Sequence, residues 1–464
     1  MIAKYVYLTL SLVTAIYLVR KHQPKGKLVA LLISFWIFVS DMANTTDFII
    51  KIPGAPFELQ PLRTLLLTFL GFLAMQGLLS KYRTRNISGH QVASVRPDYE
   101  VYLEIYILII LATYIVHFSL LGAAEFVIAV SAALSFYVVY VTVKKTADKG
   151  MIRVVRDAII TVAVVSSVVA MIQLLIDSSF LRVLPTFSRP AFGGLLRSTG
   201  VFRDDYVHAY VVIIGLVWAI FTIPNGIKKL VVVGIMLIGI LFAFMRMGYV
   251  VAFVFLAHYF YFLYRGNTQL KALIVVGSVI VAVLGVGWVI SSGVMESSVA
   301  QERMLDEGTA EIRGRLYLQA VKSSVKSGKA FLFGYGNLNS PEYYNAIYQV
   351  TQSHLWASGE KGGWHNLYVE ILFFNGIGAA IIFVIFLFLA ARYFYRLGTR
   401  QDSSLLIPFY CVLSFMIANL SLALPVYSNF GMLMGITFAL ALSQRKDQIN
   451  EQIAQPANAS LNGI

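Results

Sequence analysis

The sequence predicts an all-α, polytopic integral membrane protein with about 12–14 transmembrane helices, and three observations carry that reading. Of its 464 residues, 58% are hydrophobic and 13% charged, with a mean hydropathy of +0.74, which is too apolar for a water-soluble domain. The apolar residues gather into runs, most of them long enough to cross a hydrocarbon core of about 30 Å as helices. The gaps between runs alternate in their content of Lys and Arg, as in a chain that crosses a membrane repeatedly.

In order, the runs lie near residues 2–19, 28–40, 62–80, 101–120, 124–143, 157–176, 208–224, 230–245, 248–264, 272–290, 367–391, 404–422 and 428–443. Basic gaps follow alternate runs: Arg20, Lys21, Lys25 and Lys27; Lys81, Arg83, Arg85 and Arg96; Lys144, Lys145, Lys149, Arg153 and Arg156; Lys228 and Lys229; Arg265 and Lys271; Arg392, Arg396 and Arg400; Arg445 and Lys446. By the positive-inside rule these gaps face the cytoplasm, with the N-terminus outside and the C-terminus inside. The first run has Lys4 as its early charge and four basic residues behind it, which reads as a retained helix and not a cleaved signal. Residues 1–443 are expected to form one membrane domain, and residues 444–464 a short polar cytoplasmic tail. No internal repeat is visible.

Cys411, the single cysteine, lies in an apolar run, so neither a disulfide framework nor a cysteine metal site is available. The net charge of +14 is scattered over short loops, which suits anionic lipid headgroups and does not point to nucleic acid.

Two outward gaps, 177–207 and 291–364, are longer than a helix connection needs, and function concentrates in such loops. The second is a large extracytoplasmic loop between the helices ending near 290 and starting near 367. Both carry cations on the side the charge rule disfavours: Arg182, Arg189, Arg197 and Arg203 in the first, and Arg303, Arg313, Arg315, Lys322, Lys326, Lys329 and Lys361 in the second. An anionic ligand outside the cytoplasm accounts for them, and so does simple solvation of long loops. Arg246 sits between two apolar runs with hardly any loop. Its guanidinium is expected at the outer membrane face, where an unpaired charge is costly and a phosphate is a natural bidentate partner. His365 opens an apolar helix after the long loop, where an imidazole can take or give a proton near neutral pH. It reads either as a proton acceptor at the membrane mouth or as an interfacial residue capping the helix with Asn366.

His365-Asn366, nine residues, then Gly376 resembles the signature of the O-antigen ligase and O-antigen polymerase superfamily. Arg197-Ser198-Thr199-Gly200-Val201-Phe202 is similar to that family's Arg-x-x-Gly-x-Phe loop, and Met245-Arg246-Met247-Gly248 to its Arg-bearing turn between two helices. The segment from Glu311 through Arg313, Arg315 and Tyr317 to Ala320, followed by Phe333-Gly334-Tyr335-Gly336, is similar to its Arg-x-x-x-aromatic helix with a trailing Gly-x-Gly. The resemblance covers roughly residues 190–392. Two positions depart from the pattern: Ala379 in the signature, and the run from Arg203 through Asp204, Asp205 and Tyr206 to His208 where a Pro-Asn pair is usual.

The resemblance implies a glycosyltransferase of the bacterial cytoplasmic membrane. Its donor is a saccharide on undecaprenyl diphosphate, and its partners are membrane lipids and other polysaccharide assembly proteins. No cofactor and no metal is expected. His365 is the implied general base, with Glu370 as a second candidate. Arg197 and Arg246 clamp the diphosphate, Arg313 and Arg315 assist, and Gly200, Gly334, Gly336 and Asn366 line the substrate. Polymerisation of lipid-linked repeat units is favoured over ligation to lipid A core or protein. Two alternatives stay open: a divalent metal at Asp204, Asp205 and His208, and a saccharide flippase or noncatalytic scaffold. Against a transporter stand the long outer loop and the lack of Gly- or Pro-broken helices in matching halves.

Overall fold

The computed structural model describes residues 50–51, 58–59, 97–117, 136–137, 140–141, 144, 149–182, 196–202, 205–263, 307–336, 340–351, 366–400, 403–420, 435 and 437–439. Their regular secondary structure is helical apart from a two-residue antiparallel ladder in which Ile50 faces Leu59 and Lys51 faces Glu58. The helices are α1 (Asp98–Val116), α2 (Lys149–Leu175), α3 (Asp205–Thr222), α4 (Ile227–Phe242), α5 (Arg246–Leu263), α6 (Glu307–Ser324), α7 (Gly328–Phe333), α8 (Pro341–Thr351), α9 (Leu367–Arg400) and α10 (Leu406–Ala418). Four of them, in α1, α2, α3 and α9, are long and apolar enough to cross a membrane, so the protein is polytopic as its composition requires. The expected spans at 2–19, 28–40, 62–80 and 272–290 lie outside the described residues, as do most of 124–143 and 428–443.

The chain divides into two compact units, residues 1–161 with 378–412 and 424–464, and residues 162–377 with 413–423. In the first, Pro97 precedes α1, and Asp98 and Glu100 occupy its first turn, where carboxylates favour the helix dipole. Tyr99 is 1% exposed and packs its ring against Tyr393, Phe394, Phe438 and Phe386 at centroid distances of 5.4–6.4 Å. Glu100 is buried beside it and accepts hydrogen bonds from the Tyr140 hydroxyl and the Lys144 ammonium, the pairing that a buried carboxylate needs.

The second unit holds α3 at its centre, buried on every face along most of its length, as befits a helix apolar all round. α4 packs along α3, and Gly239 of α4 leaves no room for a side chain against Ser167 of α2, a close approach typical of small residues at membrane helix contacts. In the second long loop the described residues 307–336 and 340–351 form α6, α7 and α8. Leu316, Ala320, Tyr343, Ala346 and Ile347 make a core that closes on Phe373 of α9.

α9 differs from the uninterrupted apolar helix that the sequence suggests. Its 34 residues are interrupted at Gly376, which has φ 85° and ψ 175°. The chain therefore contains a Gly-broken helix, whereas a transporter built from paired repeats needs a second one in a matching half. The break frees the carbonyls of Phe373 and Phe374, which accept instead from Tyr335 N at 2.9 Å and Gly336 N at 3.0 Å. A side chain at Gly376 would collide with the backbone of Phe331 and Leu332, and one at Gly334 with that of Phe374 and Asn375. The Gly-Tyr-Gly segment is thus a backbone splint across the interruption.

Candidate functional site

The Arg197 loop is held from below by polar side chains of α2. Gln173 Oε1 accepts from Thr199 N at 2.9 Å and Gly200 N at 3.0 Å. Its Nε2 donates to Gly200 O and Phe180 O, both at 2.9 Å. Ser198 Oγ donates to Ala170 O, and Ser166 Oγ accepts from Val201 N. Gly200 takes φ +56°, and a Cβ there would strike Ser166 and His208, so the glycine serves both the turn and the packing. Ser198 N donates to Phe242 O at 3.1 Å, which ties the loop to the end of α4 just before the turn into α5. Arg246 is the first residue of α5; its side chain lies outside what is described.

Arg197 Nη1 donates to Asp205 Oδ2 at 2.9 Å. Arg182 is buried behind the loop at 6% exposure, with Nη2 donating to Arg197 O at 2.6 Å. Burial pulls its guanidinium below the usual arginine value, opposed by the nearby Asp205 carboxylate. The Nε atoms of both arginines are buried without a hydrogen-bond partner among the described residues. Two guanidiniums thus gather on one carboxylate and keep donors in reserve, an arrangement suited to a further anion.

The metal alternative finds its described ligands already engaged. Asp205 is bonded to Arg197, and His208 meets Ser166 Oγ through Nδ1 at 2.7 Å and Gly239 O through Nε2 at 3.1 Å. Because Nε2 faces a carbonyl it carries the proton, and Nδ1 accepts from the serine. Asp204 and Arg203 lie outside the described residues. Among the described residues no group of three or more His, Cys, Asp or Glu is placed to hold a metal ion.

A second constellation forms where α6 meets the start of α9. Asn366 Oδ1 accepts from Val369 N at 3.1 Å, a capping bond at the helix start, and its Nδ2 donates to Leu420 O at 3.0 Å. Tyr317 of α6 also hydrogen-bonds to Asn366. Burial pushes the Tyr317 hydroxyl above its ordinary value, against the pull of Arg313 and of that bond, so it stays protonated. Arg313 lies half-buried with its Nε lacking a partner among the described residues, whereas Arg315 is on the exposed side of α6. Glu370, half-buried one turn into α9, lies near Tyr343: burial first, and the Glu370 carboxylate second, push the Tyr343 hydroxyl well up. His365, bonded in sequence to Asn366, lies outside the described residues.

The structure therefore groups Arg197 and Gly200 at the turn that leads into Arg246, and Arg313 with Asn366 through Tyr317. Gly334 and Gly336 are occupied by the α9 splint. All these positions belong to one unit, residues 162–377 with 413–423. Sequence reasoning counted Arg182 among the loop cations without selecting it, and passed over Gln173 and Ser166. Their signal was present: polar residues seven apart inside the apolar run 157–176, on one face of a helix.

Residues 230–384 match the O-antigen ligase family, a range holding Arg246, the α6–α8 insert, His365-Asn366 and the break at Gly376, while the Arg197 loop precedes it. No curated protein matches the chain. Members of the matched family are polysaccharide glycosyltransferases of the ligase and polymerase type. The chain is a multi-pass membrane protein that carries an O-antigen ligase family domain.

Proposed function

We propose that the protein polymerises lipid-linked polysaccharide repeat units at the outer face of the bacterial cytoplasmic membrane. A glycan passes from undecaprenyl diphosphate to a lipid-linked acceptor. The observation that carries this reading is the Arg182–Arg197–Asp205 cluster clasped against the turn where Arg246 begins α5. It concentrates guanidinium donors at a helix junction, as a departing diphosphate requires.

In the transfer, the acceptor hydroxyl oxygen attacks the anomeric carbon and the bond from that carbon to the diphosphate oxygen breaks. The electron pair stays on the diphosphate. Arg197 and Arg246 stabilise that charge by fixed donors, the task a metal ion performs elsewhere. His365 takes the hydroxyl proton, with Glu370 as the second candidate base. Asn366 caps the helix that His365 precedes. Arg313 and Tyr317 form the wall beside Asn366 and are assigned to the saccharide, with Arg315 on the exposed rim. Polymerisation is favoured over ligation because the α6–α8 insert adds wall enough for a second lipid-linked substrate.

The test uses purified enzyme and lipid-linked substrate. His365→Ala should lower transfer roughly a hundred- to ten-thousand-fold while the donor still binds. Arg246→Lys keeps charge, loses the bidentate fork and should be severely impaired. A chelator should leave the rate unchanged. Polymerase and ligase separate in a deletion strain: single repeat units on the surface glycolipid mark a lost polymerase, and long chains stranded on the carrier mark a lost ligase.

A further inference from the structure

α6 has two apolar faces. Leu316 and Ala320, with Ser323 and Ser324, turn inward to α8 and α9. On the opposite side Leu318, Val321 and Val325 recur at three- and four-residue spacing, the spacing of one helix face, and are 55%, 44% and 60% exposed. Phe331 and Leu332 of α7 continue the exposed set. A patch of this kind on a segment between membrane helices calls for a covering surface.

Charge identifies that surface. Lys322, Lys326 and Lys329 are exposed among these apolar residues, and no Asp or Glu occurs from Gly314 to Pro341. Cations interleaved with exposed aliphatic and aromatic side chains match an anionic lipid interface.

The backbone of Phe331 and Leu332 packs on Gly376, so α7 is joined to the opening turns of a helix long and apolar enough to cross a membrane.

We propose that the α6–α7 elbow is an interfacial membrane anchor. Leu318, Val321, Val325, Phe331 and Leu332 enter the acyl boundary, and Lys322, Lys326 and Lys329 lie against anionic lipid phosphates. The anchor fixes the α6–α8 insert at the bilayer surface and does not depend on the transfer chemistry.

Nitroxides on Leu318→Cys, Val325→Cys and Leu332→Cys, in full-length Cys411→Ala protein, test this in vesicles of phosphatidylcholine with and without phosphatidylglycerol. The three sites should be more accessible to oxygen than to a water-soluble nickel chelate, and Asn345→Cys on α8 should show the reverse. Changing Lys322, Lys326 and Lys329 together to Gln should make the labels shallower in the anionic vesicles alone. Nickel access at 318 and 332 would overturn the anchor. So would labels immobilised and closed to both reagents, which would mean a protein covers the face. A triple Gln variant indistinguishable from the parent would remove the headgroup contact.

Discussion

Gln173 shows how much one side chain can hold. Its amide satisfies two backbone N–H groups and two carbonyls of segments up to 27 residues away, at a site 1% exposed. Replacing it by Leu strands those groups, and each buried orphan costs about 1–3 kcal/mol. Gln173→Leu should therefore lower the thermal unfolding midpoint in detergent and cut transfer as Arg197→Ala does. Full activity with an unchanged midpoint would show that the loop keeps its shape without the clasp. Arg182 gives a narrower test. Arg182→Met keeps much of the buried volume but removes the bond to Arg197 O and one cation. Transfer should fall at limiting lipid-linked donor and recover in part at saturating donor, whereas an equal loss at both concentrations would point to a general defect. Neither role follows from periodicity, because the sequence shows a polar residue in an apolar run but not which backbone it reaches.

At the scale of elements, the interrupted α9 carries the clearest consequence. Gly376 occupies a backbone region nearly closed to other residues, and the space beside it is filled by Leu332 and Phe331 carbonyl groups. Gly376→Ala adds strain of about 1–3 kcal/mol and a backbone collision, so Tyr335 and Gly336 should release Phe373 O and Phe374 O. Faster hydrogen exchange at the Tyr335 and Gly336 amides would report that release; unchanged protection would mean that α9 can straighten without losing the splint. The Asn366 cap and the start of α9 were legible, since a capping residue before an apolar run is a local pattern. The break was not, because hydropathy records nothing of φ. Of the helices in 307–351, α6 was expected from the resemblance to an Arg-x-x-x-aromatic helix; α7 and α8 were missed, and the core that α8 shares with α6 closes on Phe373, a partner remote in sequence. The turn after α2 has a pH dependence of defined sign. Donors from Ser179, its hydroxyl first and its amide second, hold the Asp177 carboxyl below its ordinary value of 3.8. The stabilisation is complete above that value and fades as the pH falls below it through the folded value. Exchange of the Ser179 amide should accelerate there, and Asp177→Asn should abolish the dependence.

For the whole molecule, the alternation of basic gaps predicts sides for every loop, and the structure supplies sound positions at which to test them. Ser323 and Ser340, natural choices in a long polar loop, are 4% and 1% exposed and would hide a reporter thiol. Asn345 on α8 and Asn225 between α3 and α4 are exposed, and the one native thiol, Cys411, is buried. The gap holding Asn225, Lys228 and Lys229 should face the cytoplasm. α4 then carries the chain outward to the turn at Arg246, and α5 returns it. With Arg265 and Lys271 inside, the run near 272–290 delivers 307–351 to the outer face. An impermeant maleimide should label Asn345→Cys in intact spheroplasts and Asn225→Cys only after permeabilisation. The reverse pattern would turn Arg197, Arg246 and the α6–α8 insert toward the cytoplasm. Their guanidiniums would then face the side where diphosphate-linked saccharides are built and not the side where they are joined, and the proposed polymerisation would fail with the topology.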